Sequence, residues 1–404
     1  MGERPFGGRR ILLGVTGGIA SYKTVWLARL LAQAGALVDV VLTKSAREFV
    51  GAITFEALTG RAVHTELVAE GGALDHIRLA SAVELVVVAP ATADFLARAA
   101  GGQSGDLLSA CLLVTRAPVL LVPAMNDFMW SHGQTQANVG HLRGLGYTLL
   151  EPDAGPLASP HECAGPGRMP EAEAIFAHAG RMLETRGALH GRSVVVTAGP
   201  TREAIDPVRF LSNHSSGKMG VALAAAAWRR GADVTLIAGP IALAPPTGVR
   251  TIAVETTEEM ADAVRAKLAT ADALIMAAAP ADFRPASIAT SKVKKATRPS
   301  SVSLVDTPDI LQSTRAARPA HCVAVGFALE TDDVLANGQA KLLAKELDLI
   351  VVNDAGETGA GFGLDTNRVT ILSRRDEPQV LPLLSKSAVA DIILDRVEAL
   401  LRGR

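Results

Sequence analysis

The chain has 404 residues, 49% of them hydrophobic and 20% charged, so it can bury large cores and is not a disordered polymer. Its 40 Lys and Arg balance 41 Asp and Glu to a net charge of −1, which excludes a global attraction to nucleic acid or to an anionic membrane. Aromatic residues, at 4%, are too sparse for a base-stacking platform, so any anion site must be local.

In chain order, ILLGV (11–15) reads as a buried strand, and Gly17-Gly18 turns into a helix around 21–34. Further strands are expected at 37–43, 84–89 and 118–122. Continuous apolar strands separated by helices argue for a parallel sheet covered on both faces. TGGIASYK (16–23) puts two glycines and a serine between strand and helix. Such a turn offers free N–H groups to a phosphate, although an ordinary βα turn is spelled the same way. Thr43, Ser45 and APATAD (89–94) also fall at the C-terminal ends of strands, where open α/β sheets bind ligands. His76, in LDHIRLA, suits either a structural role or proton transfer. Asn126, in PAMN (123–126), brings amide donors and an acceptor to the same edge, with Met129 and Trp130 behind it; a turn asparagine beside packed methionines is the alternative.

The pattern restarts near 193. Strands are expected at 193–199, 233–239, 272–279, 321–327 and 348–352, with an Ala-rich helix at 221–232. RGALHGR (186–192) is the linker, giving domains of 1–189 and 190–404. AGPTREAIDPVRFLSNHSSGKMG (198–220) is a long loop whose Ser215, Ser216 and Gly217 sit at a helix start, suited to phosphate. AAAPADFRP (277–285) places Asp282 just past a strand. SKVKKATR (291–298) gathers Lys292, Lys294, Lys295 and Arg298, either a solvated loop or a triphosphate clamp. TPDIL (307–311), GFALET (326–331), Lys341 and Lys345 at i,i+4 spacing, and VVND (351–354) complete the set.

Cys111, Cys163 and Cys322 are too few and too scattered for a disulfide framework or a zinc knuckle, in keeping with a reducing compartment. The basic start MGERPFGGRR lacks a cleavage site, Phe6 stands where a myristoylation signal wants Ser or Thr, and no run of 18 uncharged apolar residues occurs. A soluble cytoplasmic protein is the expectation, with no nucleic-acid or membrane partner.

GVTGGIASYK, DHIRLA, APATADFLARAAGG, SGDLL and PAMNDFMW together resemble the flavin-dependent cysteine decarboxylase family. The resemblance implies a flavoprotein-type, Rossmann-like first domain that holds FMN through Gly17, Gly18, Ser21, Thr43, Ser45, Ala91, Thr92 and Met129, often at trimer contacts. It also implies His76 as the active-site base and Asn126 as the residue that holds the substrate carboxylate. The family's loop L-A-C-G-x-x-G-x-G-R-M is here LASPHECAGPGRM (157–169), two residues longer and with Ser159 in the cysteine's place. Cys163, from its shifted position, is taken as the proton donor, with His161 or Glu162 as alternatives.

From 190 to 400 the chain resembles the 4′-phosphopantothenate–cysteine ligase family, which uses CTP and Mg²⁺ on a Rossmann-like nucleotide-binding domain, often as dimers. By that resemblance Asn213 positions the acyl-cytidylate and Lys292 contacts the triphosphate. Met276, Ala277, Ala278, Asp282, Pro308, Asp309, Ile310, Leu311, Phe327, Lys341 and Lys345 would bind CTP. The order of the two halves resembles the bifunctional coenzyme A biosynthesis proteins of bacteria. The implied activity joins 4′-phosphopantothenate to L-cysteine and decarboxylates the product to 4′-phosphopantetheine, in a homo-oligomer. The altered 157–169 loop leaves two further readings: an active ligase on an FMN-binding scaffold, or a flavin-binding regulatory subunit. Mg²⁺ is expected to be held largely by the CTP phosphates.

Overall fold

The first apolar run becomes β1 (Arg10–Val15), and its alternation sorts side chains to two cores. Ile11, Leu13 and Val15 pack with Leu27 and Leu31, while Leu12 faces Phe95, Leu96 and Leu108 on the other side of the sheet. Each such buried side chain contributes about 1.5–3 kcal/mol of transfer free energy. The computed structural model describes residues 5–68, 72–156, 164–184, 187–294, 301–330, 333–354, 361, 363–374 and 376–404. The chain divides into two units, residues 1–184 and 185–404.

In the first unit β1 is followed by α1 (Ser21–Gln33), β2 (Leu37–Leu42), α2 (Ala52–Thr59), β3 (Val63–His64), α3 (Asp75–Ser81), β4 (Leu85–Ala91), α4 (Ala93–Ala100) and α5 (Leu107–Val114). Then come β5 (Val119–Pro123), α6 (Asp127–Ser131), α7 (Gly133–Gly144), β6 (Thr148–Leu149), the β7 (Asp153–Gly155) and β8 (Gly165–Arg168) pair, and α8 (Ala172–Glu184). The sheet runs β3-β2-β1-β4-β5-β6 and every pairing is parallel. Strand order reverses between β1 and β4, which opens a crevice above the C-terminal strand ends. α1 shows why its segment is a helix: Thr24, Leu27, Ala28 and Leu31 form one buried stripe at three- and four-residue spacing, and Gly35, at φ 89°, stops the run.

The second unit contains β9 (Ser193–Ala198), β10 (Arg202–Ala204), β11 (Phe210–Ser212), α9 (Lys218–Arg229), β12 (Asp233–Ala238), β13 (Arg250–Ala253), α10 (Thr257–Leu268), β14 (Ala273–Met276), β15 (Phe283–Pro285) and β16 (Leu304–Asp306). It continues with α11 (Ile310–Ser313), β17 (Val323–Glu330), α12 (Val334–Ala344), β18 (Leu349–Asp354), β19 (Thr366–Asn367), β20 (Val369–Ser373), β21 (Gln379–Val380), β22 (Leu384–Ser385) and α13 (Lys386–Arg402). Its main sheet runs β13-β12-β9-β14-β17-β18-β20-β21. The strands from β13 to β18 are parallel and repeat the strand order of the first unit, whereas β20 and β21 add an antiparallel edge that the alternating apolar runs did not announce. α13 packs on α9 through a buried charge cluster. Arg230, 4% exposed, donates to Asp391 O at 2.9 Å and Oδ1 at 3.0 Å, to Asp395 at 2.8 Å and to Glu398 at 3.3 Å.

Candidate functional site

The crevice of the first unit holds a cavity of about 720 Å³, lined by Thr16–Ala20 after β1, Thr43–Ser45 after β2, Thr92–Asp94 after β4 and Ala124–Asn126 with Met129 after β5. Of the residues expected there, Gly17, Gly18, Thr43, Ser45, Thr92, Asn126 and Met129 line it. Ser21 and Ala91 are fully buried behind the wall: the Ser21 hydroxyl donates to Gly18 O at 2.6 Å and Thr16 O at 3.0 Å, fixing the turn rather than facing the cavity. His76 is half-buried on α3 and is not part of the lining; its Nδ1 is shielded and has no hydrogen-bond partner among the described residues. Cys163, with Ser159, His161 and Glu162, lies outside the described residues, although Pro156 and Gly167–Met169, on either side of them, do line the cavity.

Backbone builds much of this wall. A Cβ on Gly17 would lie 2.3 Å from Ser45 Cβ and 2.9 Å from the Ser45 carbonyl carbon, so the two turns meet at a distance only glycine allows. Thr16 Oγ1 donates to Pro90 O at 2.8 Å and accepts from Thr92 N at 3.1 Å, tying the end of β1 to that of β4. Thr92 then caps α4. α1 carries no acidic residue in its first turn, so no carboxylate opposes its positive dipole end at the cavity, while Ser21 N and Lys23 N donate to Gly18 O and Ala20 O, both at 3.0 Å. Asn126 caps α6 by accepting from Phe128 N at 2.9 Å. Lys23, which sequence reasoning did not single out, reaches from α1 to Met169 O at 3.0 Å and Glu171 at 2.9 Å, holding the far side of the cavity.

Asp106 does two jobs at the rim. Its Oδ1 caps α5 by accepting from Ser109 N at 2.8 Å, and its Oδ2 accepts from Arg98 at 2.6 Å. Burial alone raises its carboxyl, but the Ser109 N–H and the Arg98 guanidinium outweigh burial and hold it below the usual carboxylate range. A depressed folded-state value contributes stability that is complete above the unfolded value, near pH 4, and is lost as pH falls through the folded one. Amide exchange in the first turn of α5 should therefore be unchanged down to about pH 5 and rise below about pH 4. Equal rates at pH 3 and pH 6, after correction for intrinsic exchange, would contradict this assignment.

The second unit holds a cavity of about 470 Å³ between the start of α9 and the C-terminal ends of β14, β17 and β18. It gathers Asn213, Met276, Ala277, Ala278, Asp282, Pro308, Asp309, Ile310, Leu311, Phe327, Lys341 and Lys345, along with Ser215–Gly217 at the helix start. Gly217, at φ 75°, lets the chain turn into α9 with its N–H groups directed inward. Both Asn213 amide hydrogens are engaged, by Ala279 O at 2.9 Å and Pro280 O at 3.0 Å; two carbonyls can only be met by the NH₂ end, so Oδ1 is the acceptor left for a ligand. Lys341 pairs with Glu330 at 2.7 Å and Lys345 with Asp309 at 2.9 Å. Lys292 is exposed and does not line the cavity; Lys295 and Arg298 lie outside the described residues.

Lys218 and Asn353 line this cavity from within the 198–220 and VVND stretches, whereas Asn367 and Lys386 lay outside every stretch singled out in the sequence. Lys218 donates to Gly363 O and Asp365 Oδ1, both at 2.7 Å. Lys386 donates to Gly361 O at 3.1 Å and also contacts the carbonyls of Leu364 and Thr366; burial, then the nearby Lys218 charge, push its ammonium down. Asn367 and Lys386 reach the cavity because α13 and the β19–β22 pair fold back over its edge, a long-range event with no local spacing signal. Among the described residues no group of three His, Cys, Asp or Glu is placed to hold a metal ion, and no helix is long and apolar enough to cross a membrane.

Family models and known proteins resemble each half of the chain. The family model described as DNA/pantothenate metabolism flavoprotein, C-terminal domain, matches residues 189–401, and the one described as Flavoprotein matches residues 3–182. The coenzyme A biosynthesis bifunctional protein CoaBC of Mycobacterium bovis is 47% identical over 410 residues, covering 98% of this chain and 97% of its own. The protein of the same name from Vibrio vulnificus is 43% identical over 398 residues, covering 98% of each. A solved C-terminal domain of a CoaBC protein is 38% identical, covers 54% of this chain and 100% of its own, and superposes with a TM-score of 0.47.

Proposed function

The chain belongs to the bifunctional coenzyme A biosynthesis family that couples phosphopantothenate–cysteine ligation to phosphopantothenoylcysteine decarboxylation, and from that membership we propose how its two cavities divide the work. It is a bifunctional enzyme with both a decarboxylase and a ligase activity, and it takes two consecutive steps toward coenzyme A. Relatives of one bifunctional name span both halves, which disfavours an inert scaffold or a regulatory subunit.

The first-unit cavity is assigned to FMN. The fit rests on the backbone-built Gly17–Ser45 wall, the unopposed start of α1 for the phosphate, and the hydroxyls of Thr43, Ser45 and Thr92 on one rim. When bound, FMN accepts and returns the hydride that makes the carboxylate's departure feasible. The protein's part is to hold the substrate carboxylate at Asn126 and to move a proton through His76. His76 lies off its own cavity, beside Leu74 at 66% and Ile77 at 43% exposure, and this supports an oligomer in which it serves a neighbouring copy's cavity.

The second-unit cavity is assigned to CTP and 4′-phosphopantothenate. The substrate carboxylate attacks the α-phosphate of CTP, forming an acyl-cytidylate and releasing pyrophosphate; the cysteine amine then attacks the acyl carbon and CMP leaves. Activation is needed because a free carboxylate has no group an amine can expel. The α9 N–H groups, Lys341 and Lys345 would offset phosphate charge, with Lys292 joining when nucleotide binds and Mg²⁺ arriving on the phosphates. The cytoplasm is the setting in which the cysteine substrate and the buried thiols of Cys111 and Cys322 stay reduced.

One observation carries this reading: stretches far apart in sequence converge on a single cavity within each unit. The test is incubation with 4′-phosphopantothenate, cysteine, CTP and Mg²⁺, with products identified by mass. 4′-Phosphopantetheine is expected; accumulation of 4′-phosphopantothenoylcysteine alone would locate a break in the first unit. Lys292→Ala should lower ligation by about 10²-fold or more, the scale of losing one preorganised transition-state contact, while flavin absorbance stays unchanged. Near-normal amide formation by that variant would remove Lys292 from the nucleotide site.

A further inference from the structure

The hairpin of β15 and β16 encloses an excursion from 286 to 303 that carries Lys292. Lys292 has no ion-pair or hydrogen-bond partner among the described residues. The residue after it is gripped on both sides of its backbone. Val293 N donates to Asp206 Oδ2 at 3.1 Å, and Val293 O accepts from Arg209 Nη2 at 2.6 Å. Asp206 and Arg209 are themselves locked together: Oδ2 accepts from Arg209 Nε at 3.0 Å and Nη2 at 2.6 Å. Oδ1 accepts from Val208 N at 2.8 Å and Arg209 N at 2.9 Å, closing an Asx-type turn that presents the pair outward. The Asp206 residue is 2% exposed. Farther back on the excursion, Ala289 N donates to Ile205 O at 3.0 Å, so the same turn holds two points of the limb that bears Lys292.

We propose that Asp206 is a positioning residue for the ligase reaction: through Val293 it fixes the backbone from which Lys292 reaches the nucleotide. The inference rests on the nucleotide-binding reading of Lys292 given above. A carboxylate and a guanidinium reading the N–H and C=O of one residue act like a one-residue β-bridge, and they place the Lys292 Cα one peptide, about 3.8 Å, from a fixed point. The pair is neutral overall, so the clamp presents no net charge to compete with Lys292 for phosphate. Burial would raise the Asp206 carboxyl, but the N–H groups of Val208, Val293 and Arg209 and the Arg209 guanidinium drive it far below the ordinary carboxylate range. The clamp therefore persists throughout the pH range in which the enzyme can be assayed. Free of such an anchor, a four-carbon ammonium on an irregular segment would lose rotamer and backbone freedom on every binding event, and nucleotide affinity would fall.

Asp206→Asn isolates this role. Its Oδ1 still accepts the two turn N–H groups, but an NH₂ replaces the oxygen that receives Val293 N and Arg209. Asp206→Ser is the second variant; its hydroxyl can cap the turn but is too short to reach Val293. The intact protein is treated with a lysine-acylating reagent at increasing CTP·Mg²⁺, and acylation of Lys292, Lys341 and Lys345 is read by mass. In the parent protein CTP should protect all three. In either variant protection of Lys292 should require on the order of tenfold more CTP, the scale of one lost charge-assisted hydrogen bond, while Lys341 and Lys345 keep the parental curve. Parental protection of Lys292 in both variants would overturn the proposal, as would an equal shift at all three lysines, which would mean a general disturbance of the cavity. No protection of Lys292 in the parent would sink the nucleotide reading itself, and the proposal with it, whereas protection at Lys341 and Lys345 would still support the cavity assignment.

Discussion

Replacing His76 by alanine is expected to slow decarboxylation by about 10²–10⁴-fold, the usual worth of a positioned acid–base group, while ligation continues and 4′-phosphopantothenoylcysteine accumulates. The expectation comes from placement as much as from residue type. The Nδ1 of His76 is shielded without a partner among the described residues, a state that costs free energy unless a ligand or a neighbouring chain completes it. No residue of α3 lines the cavity of its own unit, and the oligomer proposed above would bring the imidazole to a neighbouring copy's cavity. Co-expressing His76→Ala with Asn126→Ala should then restore activity that neither variant has, because mixed oligomers contain some cavities with both residues intact. Co-expressed variants no more active than either alone would return His76 to its own chain, and undiminished release of 4′-phosphopantetheine by His76→Ala would remove it from the mechanism.

The second large effect is on stability. Arg230→Met should destabilise the second unit by about 3–5 kcal/mol, because a buried cation is lost while the anions around it remain. Asp391 and Glu398 are each 8% exposed, and with Asp395 they are separated by three or four residues on one face of α13. Without the guanidinium they would repel one another in a poorly hydrated space, although Arg229 still reaches Asp391. At 2–4 °C per kcal/mol for a unit of this size, the melt should fall by about 6–20 °C. The consequence would reach the ligase reaction proposed for that cavity, because the first residue of α13 is Lys386, on the cavity wall. Calorimetry together with flavin absorbance would separate the units: the second-unit transition should move and flavin release should not. An unshifted second transition would mean that the cluster is worth no more than exposed ion pairs.

Much of this was legible in the sequence. Strands such as 11–15 and 233–239 were readable because parallel strands covered on both faces are continuously apolar. The turns after them were readable because ligand chemistry in doubly wound sheets gathers at C-terminal strand ends. What stayed hidden was non-local or antiparallel. β20, β21 and the two-residue strands are too short for a period-two pattern to stand out, and Lys386 joins a cavity whose motif at 213–219 lies far away along the chain. The sequence placed Ser21 in the turn but not its contacts: its hydroxyl donates to the Thr16 and Gly18 carbonyls. Asp206 carries no separate signal within the 198–220 loop, since its hold on Val293 exists only once the 286–303 excursion folds back.

The contact between Gly17 and Ser45 bears on how such an enzyme can change over generations. A side chain lining a pocket can be exchanged one step at a time, with each exchange retuning affinity a little. A wall formed by two turns meeting with no room for a single methyl group offers no such gradation, since the first carbon added at Gly17 would fall 2.3 Å from Ser45 Cβ. Any new shape there needs the second turn to retreat first, and that retreat on its own would open the floor of the cavity. Lineages descending from this chain would therefore diversify around the cavity's side-chain rim, at positions such as Met129 or Tyr22, while its backbone floor stayed as it is.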